Sequence, residues 1–232
     1  MTCFSQRLGA VNARIAKACK DFGRDPGAIR LLAVSKRHPL AAVQEALAAG
    51  QTDFGENFVQ EGVGKIEALG ETPARWHFIG HLQSNKTALA AANFAWVHSV
   101  DRFKIARRLS EQRPYHAPPL NLCIQVSLAD ESAKSGASPD GLHALAQAIH
   151  ELPRIRLRGL MAIPPPSPEV DVQRGYFRQL RELLDELIAA GLELDTLSMG
   201  MSADLEAAIA EGATIVRVGT ALFGPRPAPT DW

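Results

Sequence analysis

Apolar, β-rich runs alternate with stretches of helical periodicity along the whole chain. An opening helix is predicted from about Phe4 to Phe22. Strand-like runs follow at Arg30 to Ser35, Asp53 to Gly55, Trp76 to Ile79 and Trp96 to His98. Four more lie at Leu120 to Val126, Leu157 to Met161, Thr196 to Ser198 and Ala213 to Val218. Between them the period lengthens to that of a helix. Such stretches follow Pro39 as far as Gly50, and run from about Phe58 to Leu69 and Asn85 to Ala92. Others follow Asp101, which is expected to cap its helix, and run from about Pro139 to Glu151 and Ala203 to Glu211. The longest runs from about Val170 to Ala190 and ends at Gly191, a C′ glycine.

Strict alternation of strand and helix predicts a parallel sheet covered by helices. Eight strands favour closure, so the expected fold is α/β, a single (β/α)8 TIM-type barrel. No Ser/Gly-rich or charged linker divides the chain, so residues 1–232 are expected to form one domain. The run Ile163 to Pro168 follows strand six and reads as a stiff loop, and residues from about 225 to 232 read as a flexible tail.

Composition narrows the function classes. Hydrophobic residues make up 46% of the 232, enough for a real core. Lys plus Arg and Asp plus Glu are 25 each, so no net field recruits nucleic acid or an acidic membrane. Cys3, Cys19 and Cys123 form no zinc or redox spacing and read as reduced thiols. The N-terminus has no apolar leader core, and no apolar run approaches the ~20 residues of a membrane helix. A soluble, cytoplasmic protein is the expectation.

In such barrels the active site lies at the C-terminal mouth, just past each strand. Those positions hold Lys36, Glu56, Asn57, His81, Ser99, Asp101, Ser127 and Met161. The last two strands add Met199 to Ser202 and Arg217 to Thr220. Lys36 leaves an apolar strand, where partial desolvation favours the neutral amine that attacks a carbonyl. A lysine merely reaching for solvent is the plainer account of that one position. Gly200 permits close backbone approach, and Ser202 is either an N-cap or a ligand for an anion. Gly219 and Thr220 offer N–H groups and a hydroxyl without bulk, where these barrels commonly bind phosphate. The pattern suits a ligand with an aldehyde at one end and a phosphate at the other. Arg217, in Ile215-Val-Arg-Val218, needs a buried partner. That partner is either a core carboxylate or a ligand's pyridine nitrogen. The seven histidines show no metal-binding spacing, and no metal site is expected.

Six motifs in order carry a resemblance. They are Leu31-Leu-Ala-Val-Ser-Lys36, Phe54-Gly-Glu-Asn57 with Val59-Gln-Glu61, and Trp76-His-Phe-Ile-Gly80 with Leu82-Gln-Ser-Asn-Lys86. Gly159-Leu-Met161, Ser198-Met-Gly-Met-Ser202 and Val216-Arg-Val-Gly-Thr220 complete them. From about residue 4 to 226 the chain resembles the YggS/PLPBP (PROSC) family of pyridoxal phosphate homeostasis proteins. The resemblance implies a barrel like the N-terminal domain of alanine racemase, with pyridoxal 5′-phosphate (PLP) on Lys36 as a Schiff base. It implies a phosphate held by Ser202, Gly219, Thr220 and nearby backbone, including Met201, with Arg217 at the pyridine nitrogen and Asn57 lining the pocket. Two positions depart from the family pattern: Ser127, before Asp130 to Gly136, stands where Asn is frequent, and Arg37 where a smaller polar residue is common.

The implied function is to carry or buffer PLP, with transient handover to apo PLP-dependent enzymes and no robust turnover. The alternative is an amino-acid racemase of the alanine racemase type, which needs a second acid/base across the substrate. In racemases that group comes from a C-terminal domain and a partner subunit. Only about a dozen residues follow Thr220, so the expectation is an open mouth and a carrier. A module that senses PLP without passing it on stays open. A monomer is expected.

Overall fold

The computed structural model describes residues 3–128 and 136–225. The expected tail beyond Pro225, and the segment 130–136 save Gly136, lie outside the described residues. Eight parallel strands close in chain order into a barrel. They are β1 (Arg30–Val34), β2 (Asp53–Glu56), β3 (Arg75–Phe78), β4 (Trp96–Val100), β5 (Leu120–Gln125), β6 (Ile155–Met161), β7 (Thr196–Ser198) and β8 (Ile215–Val218). β8 pairs with β1, setting Arg217 beside Leu32 and completing the ring.

The covering helices are α1 (Phe4–Asp21), α2 (Leu40–Ala48), α3 (Val59–Leu69), α4 (Thr87–Asn93) and α5 (Phe103–Gln112). They continue as α6 (Pro139–His150), α7 (Val170–Ala189), α8 (Leu205–Ala210) and the four-residue α9 (Thr220–Phe223). Two expectations need correction. Asp101 does not cap α5: the N-cap position is Arg102, and the Asp101 carboxylate is engaged by the Arg102 guanidinium. Ser202 does not cap α8 either. Asp204 holds that position, and its carboxylate accepts the Met201 N–H, closing a turn that delays the helix start. Gly191 does stand at the C′ position of α7, at φ 95°.

Side chains alternate across each strand, so a closed barrel has two cores. Phe54, Phe78, Val97, Leu122, Leu197 and Val216 belong to the core shared with the helices. Leu32, Val34, Ile79, Trp96, Cys123, Met161 and Ile215 form a second core. Both faces of each strand are thus covered, which is why the strands read as near-continuous apolar runs. Burial pushes the Cys123 thiol up to about 12, so it stays protonated at neutral pH. All three cysteines are free, with Cys3 exposed.

Candidate functional site

The lysine turn begins where β1 ends. The Ser35 N–H donates to the Gly55 carbonyl at 3.0 Å, and the His38 N–H closes the turn on the Ser35 carbonyl at 3.0 Å. Arg37 stands in the left-handed region at φ 61°, a conformation that costs a side-chain-bearing residue about 1–2 kcal/mol. Two contacts hold it there: its N–H donates to Glu61 Oε1 at 2.6 Å, and its guanidinium lies 5.9 Å from the Phe58 ring. The Arg37 departure from the family pattern thus sits at the strained point of the turn.

Behind this turn lies a buried ionic network. Lys65 Nζ donates to the Ser35 carbonyl (2.8 Å), Glu56 Oε1 (2.7 Å) and Glu61 Oε1 (2.8 Å), which uses all three of its protons. The Ser35 hydroxyl also donates to Glu56 Oε1, at 2.6 Å. Glu56 is fully buried, and its Oε2 has no hydrogen-bond partner. Burial raises its pKa to about 7 against the pull of Lys65, with the Glu61 charge adding to the rise. Glu56 therefore does not line the mouth, as its strand-end position suggested. Strand alternation turns it to the helix side, where Lys65 of α3 braces the turn that carries Lys36.

The seven residues singled out for cofactor binding come together. Lys36, Asn57, Met201, Ser202, Arg217, Gly219 and Thr220 all line one cavity of about 260 Å3 at the C-terminal mouth. Val34, His38, Ile79, Ile163 and Ala203 complete it. An adjoining pocket of about 460 Å3 shares Asn57, Ile79, Ile163, Met201 and Ala203, and extends to His81, Ser127 and the Pro164–Pro166 loop. The remaining expected mouth positions lie elsewhere. Met161 is in the core inside the barrel, Met199 faces the helices, and the buried Ser99 hydroxyl donates to the Gly80 carbonyl. Gly200, at φ 90°, serves packing: a Cβ there would lie 2.6 Å from Ala208 Cβ. Gly80 is the glycine that shapes the mouth, because a Cβ would fall 2.1 Å from the Asn57 carbonyl oxygen.

Arg217 has no carboxylate in ion-pair contact among the described residues. Its Nη1 donates to the Ser198 carbonyl and, at 2.9 Å, to the Ser198 hydroxyl, while Nη2 donates to the Ala162 carbonyl at 2.8 Å. Those bonds leave two of the guanidinium's five N–H donors without an acceptor among the described residues. Burial lowers its pKa to about 10, so it remains a cation at neutral pH.

Asn57 Oδ1 is buried without a hydrogen-bond partner at the cavity wall. Gly219 precedes α9, whose first N–H groups have no intrahelical acceptor. Ser202 is held by its backbone, since Arg14 Nη2 of α1 donates to its carbonyl at 3.0 Å. Chemically, the cavity offers an amine, a fixed cation, an amide and a loop of small residues. The sequence did not mark Val34, Ile79 and Ile163 as the cavity's apolar wall, because apolar residues at strand ends read as core even inside a recognisable motif.

Residues 7–227 match the family described as alanine racemase, N-terminal domain. The chain is 58% identical over 226 residues to a pyridoxal phosphate homeostasis protein of Pseudomonas aeruginosa, covering 97% of each. The structure of PipY of Synechococcus elongatus with PLP bound superposes with a TM-score of 0.84 at 39% identity, covering 95% of this chain and 100% of that one. An alanine racemase of Clostridium difficile superposes with a TM-score of 0.74 at 15% identity, which shows shared fold; the match covers 95% of this chain and 57% of the racemase.

Proposed function

The chain belongs to the pyridoxal phosphate homeostasis proteins, and from that premise we propose that it binds PLP in the mouth cavity and carries or buffers it for other proteins. The observation that carries this reading is the convergence of Lys36, Asn57, Met201, Ser202, Arg217, Gly219 and Thr220 on one cavity. The similar PipY, solved with PLP bound, supports it.

The cavity chemistry fits the cofactor. Lys36 supplies a primary amine for the aldehyde, as a Schiff base. Ser202, Gly219 and Thr220, with the Met201 backbone, supply hydroxyls and N–H groups suited to the phosphate. Arg217 has N–H donors left for a ring nitrogen, and the bare Asn57 Oδ1 is an acceptor awaiting a donor. Bound PLP supplies a carbonyl that captures amines and a ring that withdraws electrons. Arg217 can only donate, so it favours an unprotonated ring nitrogen and weakens that withdrawal. The chain thus holds the aldehyde while restraining the ring, which suits a carrier without robust turnover. The reading includes a cytoplasmic monomer that meets apo PLP-dependent enzymes transiently; the barrel closes within one chain.

Borohydride reduction of the loaded protein should fix the cofactor on the peptide containing Lys36, and Lys36→Ala should abolish the visible absorbance. Label recovered on another lysine would overturn the assignment. Loaded protein is then mixed with an apo-enzyme and a trap for free PLP. Activation despite the trap shows handover, and none leaves buffering or sensing.

A further inference from the structure

Below Arg217, polar side chains run through the inside of the barrel. Arg217 Nη1 is 2.9 Å from Ser198 Oγ, and Ser198 Oγ is 2.8 Å from His98 Nδ1. His98 Nε2 is 2.9 Å from His77 Nδ1, and His77 Nε2 is 3.0 Å from Asp53 Oδ1. Asp53 opens β2, so it stands at the N-terminal end of the barrel, opposite the cavity. There Arg75 Nη2 donates to its other oxygen at 2.8 Å, beside a separate cavity of about 560 Å3. His77, His98 and Ser198 are fully buried. Five strands, β2, β3, β4, β7 and β8, each contribute one member. Trp96 stacks on His77 at 5.4 Å with 9° between the rings, which fixes the imidazole plane.

The direction of every bond follows from the two ends. Asp53, ionised against Arg75, can only accept, so His77 Nε2–H donates to it. Burial lowers the pKa of both imidazoles and keeps them neutral. The positive charges of Arg30, Arg75 and Arg217 act in the same direction, and only Asp53 opposes them, at His77. Neutral His77 then has a bare Nδ1, which accepts from His98 Nε2–H. Neutral His98 has a bare Nδ1, which accepts from the Ser198 hydroxyl. Ser198 Oγ in turn accepts from Arg217. All the donors therefore point from the mouth toward Asp53. Such a one-way chain is mutually polarising in a low-dielectric interior.

We infer that Asp53, at the far end of the barrel, is a positioning residue for Arg217, setting through His77, His98 and Ser198 the hydrogen-bond direction that holds the guanidinium at the cavity floor. The tautomer assignment concerns this chain alone. The effect on the cofactor rests on the reading of the mouth as a PLP site. An uncharged residue at position 53 would leave the chain without a fixed polarity. Ser198 could then turn its hydroxyl, and Arg217 would lose its fixed neighbour.

Long-range 1H–15N correlation spectra of 15N-histidine-labelled, PLP-loaded protein test the first half. His77 and His98 should both be neutral with the proton on Nε2, and stay so from pH 8 to 5.5. A proton on Nδ1 of either ring, or ordinary titration of either, would overturn the chain. The second half is tested with Asp53→Asn, Ser198→Ala and the double variant, each loaded with PLP. Either single change should alter the ratio of the bound cofactor's absorption bands in the same sense and speed its loss by roughly 2- to 10-fold, and the double variant should add nothing further. Additive effects, or a wild-type spectrum in Asp53→Asn, would refute the positioning role. Should Asp53→Asn not fold, the Ser198→Ala spectrum decides: an unchanged band ratio refutes the role. Failure of the unaltered protein to take up PLP would refute the mouth assignment, leaving the tautomers to be read on their own.

Discussion

Glu56 shows what one buried carboxyl does to the pH response. Its pKa is near 7 in the folded chain because burial penalises the charge, against an ordinary 4.5 when unfolded. The folded state therefore keeps a proton that the unfolded state releases between those values, and stability falls as pH rises through that window. Glu56→Gln removes the titrating charge and keeps an amide oxygen as acceptor for Lys65 and Ser35. Urea midpoints should show the variant gaining about 2–3 kcal/mol on the parent between pH 5 and pH 8. A constant difference across that range would mean that Glu56 is ionised throughout. At this scale the sequence was informative where a residue carries chemistry by type. Lys36, Arg217 and Ser202 could be picked by their places at strand tips, and they do share one cavity. Glu56 was misplaced because a strand tip alternates like the rest of the strand, and only the register decides which side it serves. The histidines were dismissed on the lack of metal spacing, yet His77 and His98 meet across neighbouring strands, a contact no spacing rule detects.

Among the elements, α1 reaches furthest beyond its sequence neighbours. Its buried Phe4, Val11, Ile15, Ala18 and Cys19 repeat at helical spacing, which made the helix legible. Its docking place was not legible, because that depends on polar contacts distant in sequence. Arg14 grips Glu206 of α8 at 2.7 and 2.8 Å and the Ser202 carbonyl at 3.0 Å, while Arg7 Nε donates to the Leu222 carbonyl of α9. One helix therefore braces both segments assigned to the phosphate. α9 itself escaped the pattern reading, since four residues are too few to show a period. The Arg14–Glu206 pair is partly exposed, so Arg14→Ala should lower stability by no more than about 1 kcal/mol. Its larger effect should fall on the ligand: PLP should leave the variant severalfold faster, with Lys36 still labelled by borohydride. Arg14→Lys should rescue little, because an ammonium lacks the planar fork that meets both Glu206 oxygens while also reaching the Ser202 carbonyl. Unchanged release in Arg14→Ala would separate α1 from the cofactor site.

On the scale of the whole molecule, closing the sheet seals titratable groups in two separate layers, and their pH responses oppose each other. Inside the barrel, burial first, with the neighbouring cations assisting, holds His77 and His98 below the ordinary 6.5. The unfolded chain takes up protons below 6.5 that the folded chain refuses, so stability falls as pH drops through that value. Each histidine contributes at most about 1.4 kcal/mol per pH unit. Between the barrel and its helices, Glu56 binds its proton more tightly when folded and offsets one histidine from about pH 7 down to 4.5. Asp53, Asp195, Glu206 and Glu211 are held low by their ion pairs and hydrogen bonds, and weaken the fold as pH falls into the ordinary carboxylate range and below. The protein should therefore lose stability on going from pH 6.5 to 5 with a net uptake on unfolding of at most about one proton, a slope of at most about 1.4 kcal/mol per pH unit. In Glu56→Gln the offset is gone, and the slope should approach twice that. Urea titrations of cofactor-stripped protein read both slopes without linkage from ligand binding. Equal slopes in the two proteins would mean that the layers do not oppose each other. A stability that rises toward pH 5 would mean that the imidazoles inside the barrel accept protons, and with them charged the one-way chain from Arg217 to Asp53 could not exist.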